Sequence, residues 1–565
     1  MSKNISRRGF LKGSAAGAAA MAANAGVLSG FGVTAFAADA PVDEALETKY
    51  CNGYDNADGI GIVSEPDSKE EADIVVVGSG IAGFMASMIA KEQGPDLKVV
   101  LLEKNGFWGG STLFAECNGP ATVKTPAEAR EVAASHLKST NYIANPMLWY
   151  EQALDAGYNS AWLFGKHNVG WYQGMGPAFY EGGNGSSAIN KYLAPDAEAL
   201  GIDMRKNARA KALVMADEYT CTGVQYIDAD KKIVEIDAKA VILCTGGMST
   251  NKALLAYYSS QDMDKIIGWG AGQDGDGHLM AEQTAHGRAN HLTVSSLFNN
   301  VAGFAYDSPL GVAATMQYTD LFVNEDGVRF ADESQGGNLG TSESGKLIEG
   351  EGYVWSILDQ SMIEKYEAGG CTRHYSGFAD ACVGAELDLQ TELDAALADE
   401  KLSKVVFKAD TIEELAEMIG VDPATLKETV EKYNSYAASG VDEEWGKAAE
   451  NLWACDTAPF YAMCVSSGML NTNGGIRINR NAQVVDARFK PITGLYAAGV
   501  CTSGWDGELY GGGSCQTVGM WAGSKAARHA LENLCGVTVA EDWYGELLDN
   551  DKDAAPSAEN LNNKG

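Results

Sequence analysis

The feature that most constrains this chain is a glycine-rich turn between a predicted strand and a predicted helix. The run Asp73–Val77 is short and apolar after its first residue, which is typical of a strand in a parallel sheet covered on both faces. Glycine lets the backbone approach a pyrophosphate, and the N-terminus of the next helix favours its negative charge. The turn predicts a Rossmann-like nucleotide site whose contact residues are Gly78, Gly80, Ala82 and Gly83.

A second predicted strand makes this interpretation specific. Val99–Leu102 is another short apolar run, and it ends in Glu103, followed by Lys104. An acid about 20 residues after such a turn accepts hydrogen bonds from the ribose hydroxyls of a dinucleotide. Strand, turn, helix, strand and acid in this order predict a dinucleotide site that includes Glu103 and Lys104.

Three further segments favour FAD over NAD. Gly109–Thr112 offers backbone amides and hydroxyl groups soon after the acid. The later strand Ala240–Leu243 leads into a second glycine pair, and Gly494–Gly499 leads into another glycine-rich turn and then a helix. The residues predicted to contact the cofactor in these segments are Gly110, Ser111, Thr112, Thr245, Gly246, Gly247, Gly499 and Ser514.

From about residue 72 to 535 the chain resembles the FAD-binding family of fumarate reductase flavoproteins, flavocytochrome c and 3-ketosteroid dehydrogenases. Beside the glycine turns, Gly275–Gly277, Val323–Phe330 and Thr472–Gly475 carry the resemblance, which adds Asp276 to the expected cofactor contacts. It implies an α/β fold in which a Rossmann-like FAD-binding domain contains an inserted α+β capping domain. The substrate site would lie between the two.

The resemblance also bears on how FAD is held. Succinate dehydrogenases tether their flavin through a histidine after the Gly-Gly pair. This chain has Ser111 and Thr112 there, so we expect FAD to be bound non-covalently.

The sequence also predicts how the chain is divided. Glycine-rich strands and turns return near residue 458, which indicates that the middle segment is inserted into the first domain, and the segments 409–415 and 422–427 have the pattern of N-capped amphipathic helices. We expect a signal peptide at 1–37, a linker at 38–71, the FAD-binding domain at 72–291 and 458–535, the capping domain at 292–457, and a polar tail at 536–565.

The N-terminus indicates export. Arg7 and Arg8 precede a weakly apolar run and the small residues Ala35–Ala37, which resembles a twin-arginine signal and its cleavage site. That route carries folded, cofactor-loaded proteins, so we expect the protein in the periplasm or on the outer face of the cell envelope. No later apolar run approaches the roughly 18 residues of a membrane span, so the mature chain is predicted not to cross a membrane.

Composition excludes several classes of partner. A formal net charge of −34 would repel nucleic acid and anionic membrane surfaces. The 11 cysteines include no Cys-x-x-Cys pair, so zinc, iron–sulfur and c-type haem sites lack their spacing, and no metal is expected. Electrons for a flavin must then come from a separate redox protein, for which we expect a cytochrome.

The substrate residues depart from fumarate reductases. The resemblance implies hydride transfer to the carbon β to a carbonyl, with an acid at the α carbon. The position of the fumarate reductase acid falls on Gly337, which cannot serve as one, and Tyr510 replaces a carboxylate-binding arginine. Tyr510 is similar to the tyrosine of ketosteroid dehydrogenases, which would place a helping backbone amide near Ser514. Asp506 would repel a dianion, so fumarate is not the expected substrate.

Arg329, Arg373 and His374 complete the catalytic candidates. The resemblance favours a structural role for Arg329, since the Arg-Phe pair accompanies different substrates in the family. Arg373 and His374 form a polar cluster that either faces the cleft or is solvated surface. His291 and Trp505 are weaker candidates.

Three functions remain open at this point. The first is reduction of an activated C=C bond in a small unsaturated carbonyl compound, such as an enone, an enoate or a cinnamate-like acid. The second is the reverse chemistry, dehydrogenation of steroid-like ketones. The third is a flavin-carrying subunit of a larger redox complex without a substrate site of its own.

Overall fold

A computed structural model of the chain describes residues 59–118, 123, 125–173, 178–258, 266–268, 270, 272–294, 298–301, 304, 308–315, 317–336, 343–372, 384, 386–469, 471–507, 510 and 514–548. These residues form two compact units. The Rossmann unit comprises the described residues of 49–260, 269–295 and 470–565, and the inserted unit comprises those of 261–268 and 296–469.

The main sheet of the Rossmann unit has the strand order β18-β19-β8-β9-β1-β2-β6, with β7 paired to β8. The neighbours of β1 and β2 run parallel to them, while β8 is antiparallel to β7 and β9. The centre of the sheet is fully buried: Val76 of β1 lies between Leu101 of β2 and Ile242 of β9, and all three side chains are inaccessible to solvent. These strands are β1 (Ser68–Val77), β2 (Val99–Leu102), β6 (Asp203–Arg205), β7 (Arg209–Asp217), β8 (Thr220–Ile227), β9 (Ile233–Leu243), β18 (Gln483–Val485) and β19 (Pro491–Ala497).

Smaller sheets and helices complete this unit. The smaller strands are β3 (Cys117–Asn118), β4 (Trp171–Gln173), β5 (Ala178–Tyr180), β11 (Ala289–Val294) and β17 (Thr472–Ile476). The helices are Ile81–Gln93, Pro126–Ser139, Pro146–Ser160, Gly185–Ser187, Ala194–Ala199, Lys252–Tyr258, Asp276–Ala285 and Ser514–Ala530. Short 3-10 or π turns at Gly110–Phe114, Ala161–Lys166, Glu181–Gly183, Ala188–Leu193, Gly499–Cys501 and Leu531–Cys535 continue or join them.

Two segments predicted as linker and tail are packed where they are described. In the lead-in, Lys211 donates from Nζ to the carbonyl of Ile62 at 2.9 Å and to Ser64 Oγ at 3.0 Å, and β1 already begins at Ser68. Near the other end, Trp543 is buried under the guanidinium of Arg528. A buried cation and a buried indole anchor these ends, which the polar composition did not reveal. Residues 1–58 and 549–565, which include the predicted signal peptide, lie outside the described residues.

The inserted unit is built on β16, whose ten residues are all buried. It pairs with β10, β12, β14 and β15, and β13 pairs with β14. Because β16 belongs to this sheet, the unit ends at Met469 rather than at the expected residue 457. The strands are β10 (Ile266–Gly268), β12 (Phe298–Val301), β13 (Phe322–Val323), β14 (Tyr353–Asp359), β15 (Val406–Ala409) and β16 (Phe460–Met469).

Helices cover this sheet, and two of them begin as predicted. Thr411 accepts a hydrogen bond from the amide of Glu414, and Asp422 accepts one from the amide of Thr425, so each caps a helix. Each helix ends at a left-handed glycine. The helices are Pro309–Thr315, Glu343–Glu349, Gln360–Glu367, Leu389–Ala398, Ile412–Ile419 and Pro423–Ser439, with 3-10 turns at Glu333–Gly336, Leu402–Lys404 and Ala449–Asn451.

No described helix is both long enough and apolar enough to cross a membrane. The described histidine, cysteine and acidic side chains form no group of three that could hold a metal ion.

Candidate active site

The predicted cofactor segments leave one edge of the Rossmann-unit sheet. Val77 of β1 lies beside Leu102 of β2 and Leu243 of β9, and Leu243 lies beside Ala497 of β19. All four strands are parallel, so the segments that follow them start at the same edge, which is where α/β sheets bind ligands. The motifs that begin there are those of Gly78, Glu103, Thr245 and Gly499.

The glycine turn after β1 is too tight for side chains. Gly78 has a φ of +104°, and a Cβ there would lie 2.3 Å from the carbonyl oxygen of Cys244. A Cβ on Gly83 would lie 1.8 Å from the carbonyl oxygen of Gly78. Gly80 precedes the helix Ile81–Gln93 in an extended conformation without a side-chain cap of its own. The turn thus leads into a helix N-terminus that Gly80 itself does not cap, the arrangement that binds a pyrophosphate.

Ala82 has a packing role within this turn. A Cβ on Gly499 would lie 3.2 Å from the Ala82 side chain, and one on Gly523 would lie 2.5 Å from its carbonyl oxygen. The helices that contain Ala82 and Gly523 can approach this closely only with small residues. What Ala82 can offer a ligand is its backbone amide.

The carboxylate of Glu103 is buried and fixed beside the turn. Its Oε2 accepts hydrogen bonds from the amide of Ser79 at 3.1 Å and from its hydroxyl at 2.6 Å, and its Oε1 accepts one from the amide of Asn105 at 2.8 Å. An ionised carboxylate has about four acceptor positions, so capacity for a further donor such as a ribose hydroxyl is left on Oε1.

The segment Gly109–Thr112 is tied to the same helix N-terminus. Thr112 accepts a hydrogen bond at Oγ1 from the amide of Ile81 at 3.0 Å, and the amide of Gly109 donates to Ser79 Oγ at 3.0 Å. Ser111 accepts a hydrogen bond from the side-chain amide of Gln273. A Cβ on Gly110 would meet no atom within 4 Å. Thr112 therefore positions the turn, while Gly110 borders open space.

The segment after β9 is equally crowded on one side. A Cβ on Gly247 would lie 2.4 Å from Thr472 Oγ1, and one on Gly277 would lie 2.1 Å from Thr245 Oγ1. The Thr245 hydroxyl is buried without a hydrogen-bond partner, and so is the Ser514 hydroxyl at the start of the helix Ser514–Ala530. Buried polar groups are rarely left unpaired, so these two hydroxyls indicate that a polar ligand belongs beside them.

Lys104 and Asp276 form an ion cluster that the sequence motifs did not indicate. Lys104 Nζ lies 3.2 Å from Asp276 Oδ2 and 2.8 Å from Asp274 Oδ2, and Arg209 donates to both oxygens of Asp276 at 3.0 and 2.8 Å. Burial opposes ionisation of Asp276, but the charges of Lys104 and Arg209 outweigh it and lower its pKa. Arg209 lies on β7 with no motif around it, so sequence reasoning missed it.

Together these residues fit a dinucleotide. The glycine turn leaves room for a pyrophosphate, Glu103 has capacity for a ribose hydroxyl, and Thr245 and Ser514 hold unpaired hydroxyls. A serine and a threonine, Ser111 and Thr112, stand where a tethering histidine would be needed for a covalent link.

Tyr510 lies in the Rossmann unit and is 5% exposed. Its phenol donates a hydrogen bond to Cys515 Sγ at 2.8 Å, and the amide of Cys515 donates to the phenol oxygen at 3.4 Å. The amide that reaches Tyr510 is therefore one residue beyond the predicted Ser514. Burial raises the pKa of Tyr510 well above its usual value, and the negative charges nearby raise it further. The phenol is protonated throughout the neutral range.

Arg329 lies in a buried ion cluster of the inserted unit, not among candidate reacting groups. Its guanidinium donates to Glu333 at 3.0 and 2.9 Å and to Asp442 at 3.0 Å, and Lys447 lies 3.3 Å from Glu333. Side-chain exposure of the four groups is at most 1%. Such pairing supports the structural role that the resemblance favoured over catalysis.

The other candidates are less informative. Arg373 and His374 lie outside the described residues, as does Gly337, and only the backbone of His291 is described, in β11. Trp505 is a core residue: it is 3% exposed, and its indole nitrogen donates to Thr502 Oγ1 at 2.9 Å.

Comparison with known proteins agrees with this geometry. Residues 73–515 match the family model described as an FAD binding domain, and residues 4–23 match the signal sequence of the twin-arginine translocation pathway. The vinyl phenol reductase of Lactiplantibacillus plantarum is 30% identical over 81% of this chain and 96% of its own length. The urocanate reductase of Eggerthella lenta is 29% identical over 76% of this chain and 69% of its own length.

A solved structure is also similar. The open conformation of a flavocytochrome c3 fumarate reductase superposes with a TM-score of 0.61 at 26% identity, covering 85% of this chain and 82% of that one. The fold predicted from the sequence, an FAD-binding α/β protein of the fumarate reductase type, is confirmed. A signal of the twin-arginine export route stands at its N-terminus. The chain belongs to the FAD-binding family of flavoprotein oxidoreductases, which it matches over most of its length.

Proposed function

We propose that this protein is an exported FAD-dependent reductase of a C=C bond conjugated to a carbonyl or an aromatic ring. The observation that carries the proposal is the buried, protonated phenol of Tyr510 in the same unit as the glycine turns. The relatives named for reduction of vinyl phenol and of urocanate support a conjugated, ring-bearing substrate.

FAD would be held without a covalent bond. The glycine turn of Gly78–Gly83 would receive the pyrophosphate, Glu103 the ribose, and the helix N-terminus at Ser514 the polar edge of the flavin ring. Acid precipitation of the purified protein should release all of its flavin into the supernatant.

When bound, FAD supplies the hydride that adds to one carbon of the double bond. Tyr510 would give its proton to the other carbon or to the carbonyl oxygen. A phenol is suited to both, because its hydrogen bond strengthens as negative charge develops on the substrate. A buried position keeps water from competing for that charge.

The charge near Tyr510 narrows the substrate. The carboxylate of Asp506 raises the pKa of both Tyr510 and Cys515, so its negative charge is felt at the phenol. A dianion such as fumarate would be repelled, whereas a neutral enone, a vinyl phenol or a monoanionic cinnamate-like acid would be tolerated.

Electrons would come from a separate protein. The sequence holds no Cys-x-x-Cys-His haem attachment motif, and we propose a cytochrome of the cell envelope as the donor. The twin-arginine signal supports a site of action in the periplasm or on the outer face of the envelope.

A panel of acceptors tests the proposal. Holoenzyme and a reduced viologen dye, under anaerobic conditions, should oxidise the dye with cinnamate-like acids, vinyl phenols or enones and not with fumarate. Dye oxidation by fumarate alone would contradict the assignment. Reduction of an oxidised dye by steroid-like ketones would favour the dehydrogenase alternative. No reaction in either direction would favour a flavin-carrying subunit.

A further inference from the structure

Tyr510 is the first member of a chain of hydrogen bonds inside the Rossmann unit. Its phenol donates to Cys515 Sγ at 2.8 Å, and the side-chain amide of Gln516 approaches the same sulfur from Nε2 at 3.9 Å. On its other side, Gln516 Oε1 accepts a hydrogen bond from the phenol of Tyr180 at 3.3 Å. Tyr180, Gln516 and Tyr510 are all at most 5% exposed, whereas Cys515 is half-buried.

In both side-chain contacts of Cys515, with Tyr510 and with Gln516, the sulfur is the acceptor, so neither contact uses the thiol hydrogen as a donor. The backbone amide of Cys515 also points at the phenol oxygen, at the N-terminus of the helix Ser514–Ala530. Both an N–H and an S–H can therefore face the oxygen of Tyr510 once the phenol has lost its proton.

We propose that Cys515 returns the proton to Tyr510 after each turnover and that its backbone amide stabilises the tyrosinate formed. The proposal rests on the function proposed above, in which Tyr510 is the proton donor. In each cycle the phenol O–H bond breaks as the proton joins the substrate, alongside the hydride supplied by reduced FAD. The thiol S–H bond then breaks as the phenol O–H bond re-forms, and the thiolate takes a proton from water.

The energetics favour this order. An ordinary thiol, with a pKa of about 8.5, is a stronger acid than an ordinary phenol, with a pKa of about 10. Burial raises the pKa of Tyr510 well above its usual value, which favours proton transfer from the thiol to the tyrosinate. Burial raises the pKa of Cys515, although hydrogen bonds from Tyr510 and Gln516 oppose that shift. The thiol is thus kept protonated, as a proton source must be. Cys515 acts through Tyr510 and is a positioning and proton-supplying residue rather than one that touches substrate.

Comparing the single-turnover rate with the steady-state rate distinguishes proton supply by Cys515 from a purely structural role of its side chain. The first turnover uses the proton already on Tyr510, so flavin reoxidation by substrate in pre-reduced Cys515→Ser enzyme should stay within about threefold of wild type. Steady-state turnover should fall at least about tenfold, because a serine hydroxyl cannot supply the proton, and imidazole buffer should restore part of it. Cys515→Ala should behave like Cys515→Ser. FAD content is measured in every variant.

A second readout does not depend on activity. The rate of iodoacetamide alkylation at Cys515, followed by mass spectrometry against pH, reports the thiol pKa. Tyr510→Phe removes a hydrogen bond that lowers this pKa, so the alkylation profile should move to higher pH. An unchanged profile would show that the two groups are not coupled and would overturn the proposal.

The remaining outcomes are distinguishable. Wild-type steady-state turnover in Cys515→Ser between pH 6 and 9 would overturn the relay, as would an equal loss in single-turnover and steady-state rates. A Tyr510→Phe enzyme with a wild-type single-turnover rate would instead refute Tyr510 as the donor and, with it, that part of the proposed function.

Discussion

Two clusters of charged side chains, one in each unit, use the same residue types for different ends. In the inserted unit, side-chain exposure is at most 1% in Arg329, Glu333, Asp442 and Lys447, and every charge in the cluster faces an opposite one. In the Rossmann unit, the pairs of Lys104, Asp274, Asp276 and Arg209 include partly exposed side chains at the edge where the parallel strands end. The unpaired hydroxyls of Thr245 and Ser514 lie buried in that same unit.

The difference separates scaffold from site. In the closed cluster each charge is neutralised by a neighbouring side chain rather than by a ligand, and the cluster holds together backbone segments that are far apart in sequence. An edge with glycine cradles, a spare acceptor position and unpaired hydroxyls is incomplete without one. Arginine in a family motif therefore need not be catalytic, whereas unpaired buried hydroxyls beside the edge where parallel strands end indicate a ligand there.

The largest expected effect is from breaking the closed cluster. Arg329→Ala leaves Glu333 and Asp442 as uncompensated buried charges, so the free energy of unfolding should fall by about 3–5 kcal/mol. Chemical denaturation of the holoenzyme measures it. Arg488→Ala, which removes an 83% exposed partner of Asp486, is the matched control and should change stability by less than about 0.5 kcal/mol. A stable Arg329→Ala protein that had lost only turnover would place Arg329 at the substrate instead.

A smaller effect is expected at the open edge. Glu103→Ala removes an acceptor for the ribose and should weaken FAD binding by about 1.5–3 kcal/mol, with little loss of fold stability. Equilibrium dialysis of FAD against the apoprotein measures the change. Glu71→Ala, at an exposed acid of β1, serves as control and should bind FAD as wild type does. Equal FAD affinity in both variants would mean that Glu103 only ties down the glycine turn.

The smallest expected effect is on how stability depends on pH, which should differ between the two units. His136 is stacked on Trp149 with ring centroids 3.5 Å apart, and burial lowers its pKa from 6.5 to about 4. As the pH falls, the imidazole of His136 takes up a proton below about pH 6.5 in the unfolded chain but only near pH 4 in the folded chain. The free energy of unfolding should therefore decrease by about 1–2 kcal/mol as the pH is lowered from 6.5 to 4. In the inserted unit, Arg329 outweighs the burial of Asp442 and lowers its pKa, so that pair persists to lower pH.

Unfolding of His136→Phe at pH 4.5 and 7 checks this. The variant keeps the stacked ring without the titrating group, so its stability should depend less on pH than that of wild type. An equal pH dependence in the two proteins would show that His136 does not carry the effect.

The features that could be predicted from the sequence are those encoded by residues close to one another in the chain. The turn before Ile81, Glu103 at the end of β2, and the caps Thr411 and Asp422 all depend on residues close in sequence, and all were predicted. Contacts between distant residues were not predicted. Arg329 meets Asp442 across 113 positions, and no spacing rule encodes such a pair.

In the candidate active site, even a contact between residues five positions apart was not predicted. Tyr510 was predicted from the resemblance, but its contact with Cys515 was not, since the contact depends on how the turn between them enters the helix Ser514–Ala530. The sequence also placed residues 460–469 in the FAD-binding domain, whereas the structure places them in the inserted unit. Their place is decided by the pairing of β16 with β14, which is distant in sequence.

In the proposed function, Tyr510 is the proton donor of an FAD-dependent C=C reductase. The most direct test is turnover of Tyr510→Phe with the acceptor found in the dye assay, with FAD content measured in the same sample. The ring and its packing remain, and only the donor is lost. If Tyr510 donates the proton, the variant should have full FAD content and a fall in turnover of about 10²–10³. Wild-type turnover at full FAD content would contradict it.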